Sequence, residues 1–354
     1  MKKITLFVAA LMASAAMFAE GTFKVEKVWE NLTVPASAEV RQGTGRDNQV
    51  FVVDKAAKKI QVVTKDGVAD YATVNDGVAV GIGLDDAGNV IVKNEWASTG
   101  SQSIQICKKE DKTVTTVQFA DSKLGKRSDL ISAVSGDVFS AEGGHVYISL
   151  GEKGLLRIKV ANGAFVELDT VAADWATNSI VLALPTADGL LVQTRSSDLA
   201  MWDEEANETK GIVIGETAAH SKSTAGISYF ELGGKKFYAL NTGTNYASAW
   251  NLYNATDDVL VNDKPMYVGD GTKLNSSSYA NFLTSEIVDE NTVNIYQYHP
   301  GNGAAMYKVT YTPGETTAVE NNVVAVKAQK VMIDGQVYMV REGKTFNMLG
   351  QEVK

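Results

Sequence analysis

The histidines, cysteines and motifs that most often do nucleophilic or metal chemistry are few in this chain and badly spaced for it. There are three histidines, His145, His220 and His299, and no two share the His-x-x-x-His spacing that presents both rings to one metal ion. Cys107 is the only cysteine, so neither an intrachain disulfide nor a cysteine-based metal cluster can form. No Gly-x-Ser-x-Gly elbow and no phosphate-cradling Gly-Lys-Ser/Thr loop is present. Asp85-Asp86 is an adjacent carboxylate pair, but neighbours on a strand point to opposite faces, and turn capping is the role expected of it. Gly81-Ile82-Gly83 lacks the helix that a dinucleotide fingerprint needs. Gly269-Asp270-Gly271-Thr272 offers a single acid; calcium is the one ion such a turn could take, and no cofactor or metal is expected.

Recognition chemistry is better represented than catalysis. Trp96 stands in Trp96-Ala97-Ser98-Thr99-Gly100, Tyr246 closes Thr242-Gly243-Thr244-Asn245-Tyr246, and His299 opens His299-Pro300-Gly301-Asn302-Gly303. Trp175, Arg195 and Tyr279 lie in similar polar surroundings. Aromatic rings beside Asn, Ser and Thr suit stacking on sugar rings or grasping an extended peptide. The same tryptophans could instead plug gaps between packed sheets. The basic residues Lys123, Lys126, Arg127, Arg195 and Lys273 are solvated loop charges or, on so acidic a chain, points of contact for an anionic group.

What must position these residues is a set of short strands. Helical periodicity is nearly absent, and alternating apolar stretches are punctuated by Gly, Asn and Asp turns. One unit recurs, clearest in Val80 to Val92 as strand, Asp85-Asp86-Ala87-Gly88-Asn89 turn, strand. Equivalent second strands begin near residues 49, 89, 144, 189, 235 and 292, a recurrence of 40 to 57 residues. Each is followed by a third strand, such as Ile60-Gln61-Val62-Val63 or Leu199-Ala200-Met201-Trp202. Several strands at this period predict an all-β chain folded as a six- or seven-bladed β-propeller, because a lone sheet cannot bury both faces and stacks on its neighbours around an axis. Six repeats are visible, and Phe23 to Val34 could complete a further one by pairing with late strands. Trp202 and Trp250, in third strands, are expected between blades. The hairpin around Leu84-Asp85-Asp86-Ala87-Gly88-Asn89-Val90 resembles those of secreted six- and seven-bladed propellers of the NHL and lactonase-like kind; the resemblance brings no catalytic residue with it.

The chain's ends speak about its compartment. Lys2-Lys3, an uncharged apolar run from Ile4 to Phe18, and small residues up to Ala19 form a signal peptide over residues 1–19, too short to be a membrane span. With 45% hydrophobic residues the rest, a propeller over 20–311, can bury a large core. A net charge of −9 repels phosphate backbones and argues against nucleic acid as a partner. After a polar linker, 312–322, residues 323–354 read as a short β-hairpin module turned at Asp334-Gly335. Its order of strand, Asp-Gly, strand, then Gly343-Lys344-Thr345-Phe346-Asn347-Met348-Leu349-Gly350-Gln351 and a terminal Lys354, resembles the sorting tails of type IX secretion; a hairpin capping the last blade is the other reading. Asp169-Thr170-Val171 resembles the O-glycosylation triplet of the same bacterial group. Together these features point to an exported binding protein of the periplasm, cell surface or extracellular space, its ligand a glycan or protein held by the loop rim. A lactonase-like or glycan-cleaving hydrolase is the alternative.

Overall fold

The computed structural model describes residues 21–33, 42–74, 81–93, 101–120, 130–149, 154–171, 180–186, 188–194, 199–206, 208–211, 226–241, 249–269, 282–314, 329–333, 336–341, 344–347 and 351–353. The chain divides into two compact units, Thr22–Thr312 and a second made of Met1–Gly21 with Pro313–Lys354.

In the larger unit the chain opens with β1 (Thr22–Asn31) and then builds antiparallel sheets in succession. The first sheet is β2 (Gly43–Arg46), β3 (Gln49–Asp54), β4 (Lys59–Thr64) and β5 (Gly67–Thr73); the second is β6 (Gly81–Leu84), β7 (Val90–Lys93), β8 (Ser101–Cys107) and β9 (Val114–Ala120). The third holds β10 (Ile131–Gly136), β11 (Gly144–Ser149), β12 (Leu155–Ala161) and β13 (Ala164–Val171). The fourth holds β14 (Ile180–Thr186), β15 (Gly189–Thr194), β16 (Ala200–Asp203) and β17 (Glu208–Gly211). The fifth is β18 (Ile227–Leu232), β19 (Lys235–Asn241), β20 (Trp250–Asn254) and β21 (Val259–Leu260). The sixth is β22 (Phe282–Asp289), β23 (Thr292–His299) and β24 (Gly303–Thr312), completed by β1 on the outer side of β24.

The apolar alternation of the second and third strands explains why these sheets stack. Each buries both faces, and among the described residues six hydrophobic clusters form, one per junction. Phe51, Val53 and Ile60 meet Ile82, Val90 and Val92 between the first and second sheets. Ile91, Ile104 and Ile106 meet Val146, Ile148 and Ile158 between the second and third. The series continues through Tyr147 and Trp202, then Leu191 and Tyr238, then Trp250 and Tyr307, and returns to the first sheet through Tyr296, Tyr298, Val50 and Val52. The first strands touch in the same cyclic order, from β2 through β6, β10, β14, β18 and β22 back to β2. Stacked four-stranded sheets closed into such a ring make a β-propeller. Trp202 and Trp250 lie buried between sheets, where their third-strand positions put them.

Phe23 to Asn31 pair with late strands, yet they finish the sixth sheet rather than begin a seventh. Phe23 stacks on Tyr311 at 4.9 Å and packs against Phe237 at 4.7 Å, tying the start of the chain to its sixth and fifth sheets. In the smaller unit, Ile333 pairs with Gln336 across Asp334-Gly335, the spacing of a two-residue hairpin. The module is larger than a hairpin, however. β25 (Gln329–Ile333), β26 (Gln336–Arg341), β27 (Lys344–Phe346) and β28 (Glu352–Val353) form a four-stranded sheet in sequence order.

Candidate functional site: an axial cavity ringed by first strands

The first strands of the first two sheets have only four residues each, two of them glycine, and packing explains this composition. A Cβ on Gly45 would fall 2.1 Å from Cγ of Tyr296, and one on Gly43 2.6 Å from Cβ of Tyr298. The glycines let the first sheet close against these rings of the sixth. Neighbouring first strands belong to different sheets, and side chains join them. Gln42 accepts the N–H of Ile82 (3.0 Å) and of Ile131 (3.3 Å) on Oε1 and donates Nε2 to the Ile131 carbonyl (2.6 Å), spanning three sheets. Thr284 Oγ1 accepts from Gly45 N–H at 2.9 Å, and Ser228 donates to Ser285 Oγ at 2.7 Å.

The carboxylates near the axis serve the same purpose. Asp85, almost wholly buried, accepts from Asn89 N–H and Nδ2 within its own turn, each at 2.8 Å, and from Val138 N–H of the third sheet at 3.0 Å. Asp86 accepts from Gly136 N–H at 2.8 Å. The turn-capping role expected of this pair is therefore present, and it extends to clamping the next sheet. Glu286 accepts from the Tyr296 hydroxyl at 2.5 Å and from Asp47 N–H at 3.2 Å. Tyr296 in turn accepts from Asn48 N–H at 2.9 Å. Burial, with the Glu286 carboxylate beside it, pushes the Tyr296 hydroxyl well above its ordinary range, so it stays a donor. Asp47 and Asn48 have φ of 52° and 61°, the left-handed pair that a tight hairpin requires.

Inside this ring lies a cavity of about 450 Å³, lined by first-strand residues of all six sheets. Thr44, Ser132, Ser228, Tyr229, Thr284 and Ser285 supply its hydroxyls. Arg46, Glu286 and Asp86 mark the end where first strands turn into second strands. There Arg46 donates Nη1 to the Asp85 carbonyl at 2.9 Å, and its Nε stands 3.9 Å from Glu286. A smaller pocket lies on the outer strands around His145, Arg157, Lys159, Glu167 and Asp169. Arg157 pairs with Asp169 of its own sheet at 2.5 Å and Glu204 of the fourth at 2.6 Å. Partial burial, then the Arg157 and Lys159 charges, lower the pKa of His145.

Of the residues selected from sequence, Trp96, Trp175, Arg195, Tyr246 and Tyr279 lie outside the described residues, as do Lys123, Lys126, Arg127 and Lys273. The strands flanking each of these segments do have described ends. All sit at the end of the sheets where first strands begin, opposite the hairpins at Asp47 and Asp86. His299 requires a correction. It is the last residue of β23 with its side chain fully buried, not an exposed loop residue, because the strand runs four residues past Ile295, its last strictly apolar position. Thr170 requires another: its Oγ1 is buried, which withdraws the hydroxyl that glycosylation of the folded chain would need. Sequence reasoning missed Thr44, Arg46, Ser132, Ser228, Tyr229 and Glu286. Their signal was indirect, since a hairpin turn at Asp47-Asn48 demands a strand before it even where that strand reads Gly-Thr-Gly-Arg. Among the described residues no group of three or more His, Cys, Asp or Glu side chains is placed to hold a metal ion.

No known protein family matches the chain, and no curated protein matches it. Solved structures do. A DUF4623 family protein from Bacteroides eggerthii superposes with a TM-score of 0.61 at 10% identity, over 84% of this chain and 78% of that one. A gluconolactonase from Xanthomonas campestris gives 0.46 at 12% identity, covering 86% and 93% of the two chains. Virginiamycin B lyase from Staphylococcus aureus gives 0.40 at 11%, covering 81% and 99%. At such identities the likeness speaks to fold alone. No helix among the described residues is long and apolar enough to cross a membrane.

Proposed function

We propose that this chain is an exported, non-enzymatic propeller that binds a glycan or a protein through the loops gathered on one face. One observation carries the reading: Asp85, Asp86 and Glu286 are each engaged by backbone N–H groups, one from a neighbouring sheet in every case, so the axial carboxylates hold the ring rigid. A rigid ring is a scaffold on which connecting loops can carry recognition. Residues 1–19 act as the export signal, residues 323–354 as a sorting tail, and the six sheets are the full set of blades. Trp96, Trp175 and Tyr246 are the groups that would stack on the ligand, with Arg195 and Tyr279 as further contacts.

The test is a glycan microarray, with a surface-protein overlay, probed with residues 20–354 and with the W96A/W175A/Y246A variant. Binding by the former that the variant loses supports the rim. Hydrolysis of gluconolactone above its spontaneous rate, the activity named for one structural neighbour, would replace this reading with the hydrolase.

A further inference from the structure

The axial cavity's volume of about 450 Å³ falls in the range of roughly 300–1,000 Å³ common to small-molecule sites. Its hydroxyls are not equivalent. Those of Ser228, Ser285 and Thr284 are taken up in joining sheets. Thr44 is not: it is more than nine-tenths buried, lines the cavity, and its hydroxyl has no hydrogen-bond partner among the described residues. Ser132 lines the wall from the third sheet, and its Oγ is likewise buried without a partner. Ser132 sits where the β10–β11 register slips, between Ile131↔Ile148 and Ala133↔Tyr147. Such a bulge takes one residue out of the ladder and re-aims its side chain. No hydrogen bond holds its present rotamer, so the hydroxyl is free to turn to another staggered position. Buried hydroxyls are ordinarily satisfied, so the partnerless Ser132 Oγ, with the uncommitted Thr44 hydroxyl open to the same cavity, indicates a missing partner.

The charges define that partner further. At the hairpin end Arg46 stands against Glu286, with Asp86 on the same wall, so an anion meets two carboxylates and a cation meets a guanidinium. Neither sign is favoured. Hydroxyls can turn to donate or accept, which matches a guest carrying hydroxyls of its own, while Leu84, Leu130 and Val134 offer apolar wall to its C–H faces. We propose that the axial cavity binds one small, uncharged, polyhydroxylated molecule of about monosaccharide size, anchored by Thr44 and Ser132. The site is independent of the rim aromatics and stands whether or not they bind anything.

The test is isothermal titration of residues 20–354 with myo-inositol, D-glucose and N-acetyl-D-glucosamine, using gluconate and glucosamine as charged comparators. At least one neutral probe is expected to bind, and its charged comparators to bind at least tenfold more weakly. Thr44→Val keeps the side-chain shape, and should weaken that binding about three- to tenfold, the scale of one hydrogen bond, without moving the melting temperature. Ser132→Ala gives the same reading if Thr44→Val perturbs folding. The W96A/W175A/Y246A variant should titrate like the unmodified chain, which separates this site from the rim. The proposal is overturned if no neutral probe binds up to about 20 mM, a concentration that reveals millimolar affinity. It is also overturned if charged probes bind equally well, or if both hydroxyl variants bind unchanged.

Discussion

At the scale of single residues, stability concentrates in side chains that do work backbone cannot do between sheets. Gln42 satisfies two buried N–H groups and one carbonyl on two other sheets. Gln42→Ala strands all three, and a loss of about 2–4 kcal/mol is expected, measured by chemical denaturation with an unchanged m-value. Gln42→Glu keeps the acceptor and should fall between. Gly45→Ala tests packing in the same strand: a methyl group 2.1 Å from the Tyr296 ring must displace it, with a loss of about 1–3 kcal/mol or more. His145 gives a pH signature. Its pKa is lowered on folding by burial and by Arg157 and Lys159, so the unfolded chain binds more protons as the pH falls through the ordinary histidine range. Stability is therefore lost on acidification below about pH 6.5. His145→Gln should show a smaller drop in melting temperature between pH 7 and 5; an equal drop would assign the acid sensitivity elsewhere.

At the scale of elements, legibility followed hydrophobicity. The second strands were readable to within a residue or so, since Val50 to Val53, Val90 to Val92 and Val146 to Ile148 bury both faces and must be apolar. Of the first strands β6 was readable beside its turn but β2 was not, because it lines an axis rather than fills a core: Gly43-Thr44-Gly45-Arg46 carries turn-like residues for reasons of close approach. The axial site is made of first strands, and it was missed. His299 misled for the opposite reason, a polar residue before Pro300 reading as loop although it ends a buried strand. β1 was legible as a partner for late strands, and it carries a prediction. It pairs with β24 from Thr22↔Thr312 to Asn31↔Ala304, with a bulge after Lys27, and lays Phe23 between Phe237 and Tyr311. A chain beginning at Leu32 leaves the long edge of β24 unpaired and uncovers Tyr311. Its melting temperature should fall by at least about 10 °C, given roughly 2–4 °C per kcal/mol for a domain of this class. A peptide of residues 20–31 added in trans should restore much of the loss. A truncated chain that melts like the full one would mean that ring closure does not depend on this strand.

At the scale of the whole molecule, the two compact units differ in what holds them. The larger is a closed set of sheets in which every described junction carries its own hydrophobic cluster, so stability is shared around the ring. The sheet of β25 to β28 has strands of five, six, three and two residues, and Met332 on it is 73% exposed. So small a sheet buries little apolar surface, and sheets of this size are marginal unless something covers them. Hydrogen exchange should separate the two. Amides of β3, β7 and β23 should exchange only by global opening, while those of β25 and β26 exchange through local opening at much lower free energy. Ending the chain at Gly314 should accordingly leave the melting temperature of the larger unit within about 2 °C, less than 1 kcal/mol for a domain of this size. The buried Cys107, its thiol pushed up to about 11 by desolvation, reports the same event chemically. It should resist thiol reagents at pH 8 in both the full and the shortened chain, and react only as the ring unfolds. Faster labelling after the truncation would show that the C-terminal sheet protects the second sheet, and that the units are energetically coupled.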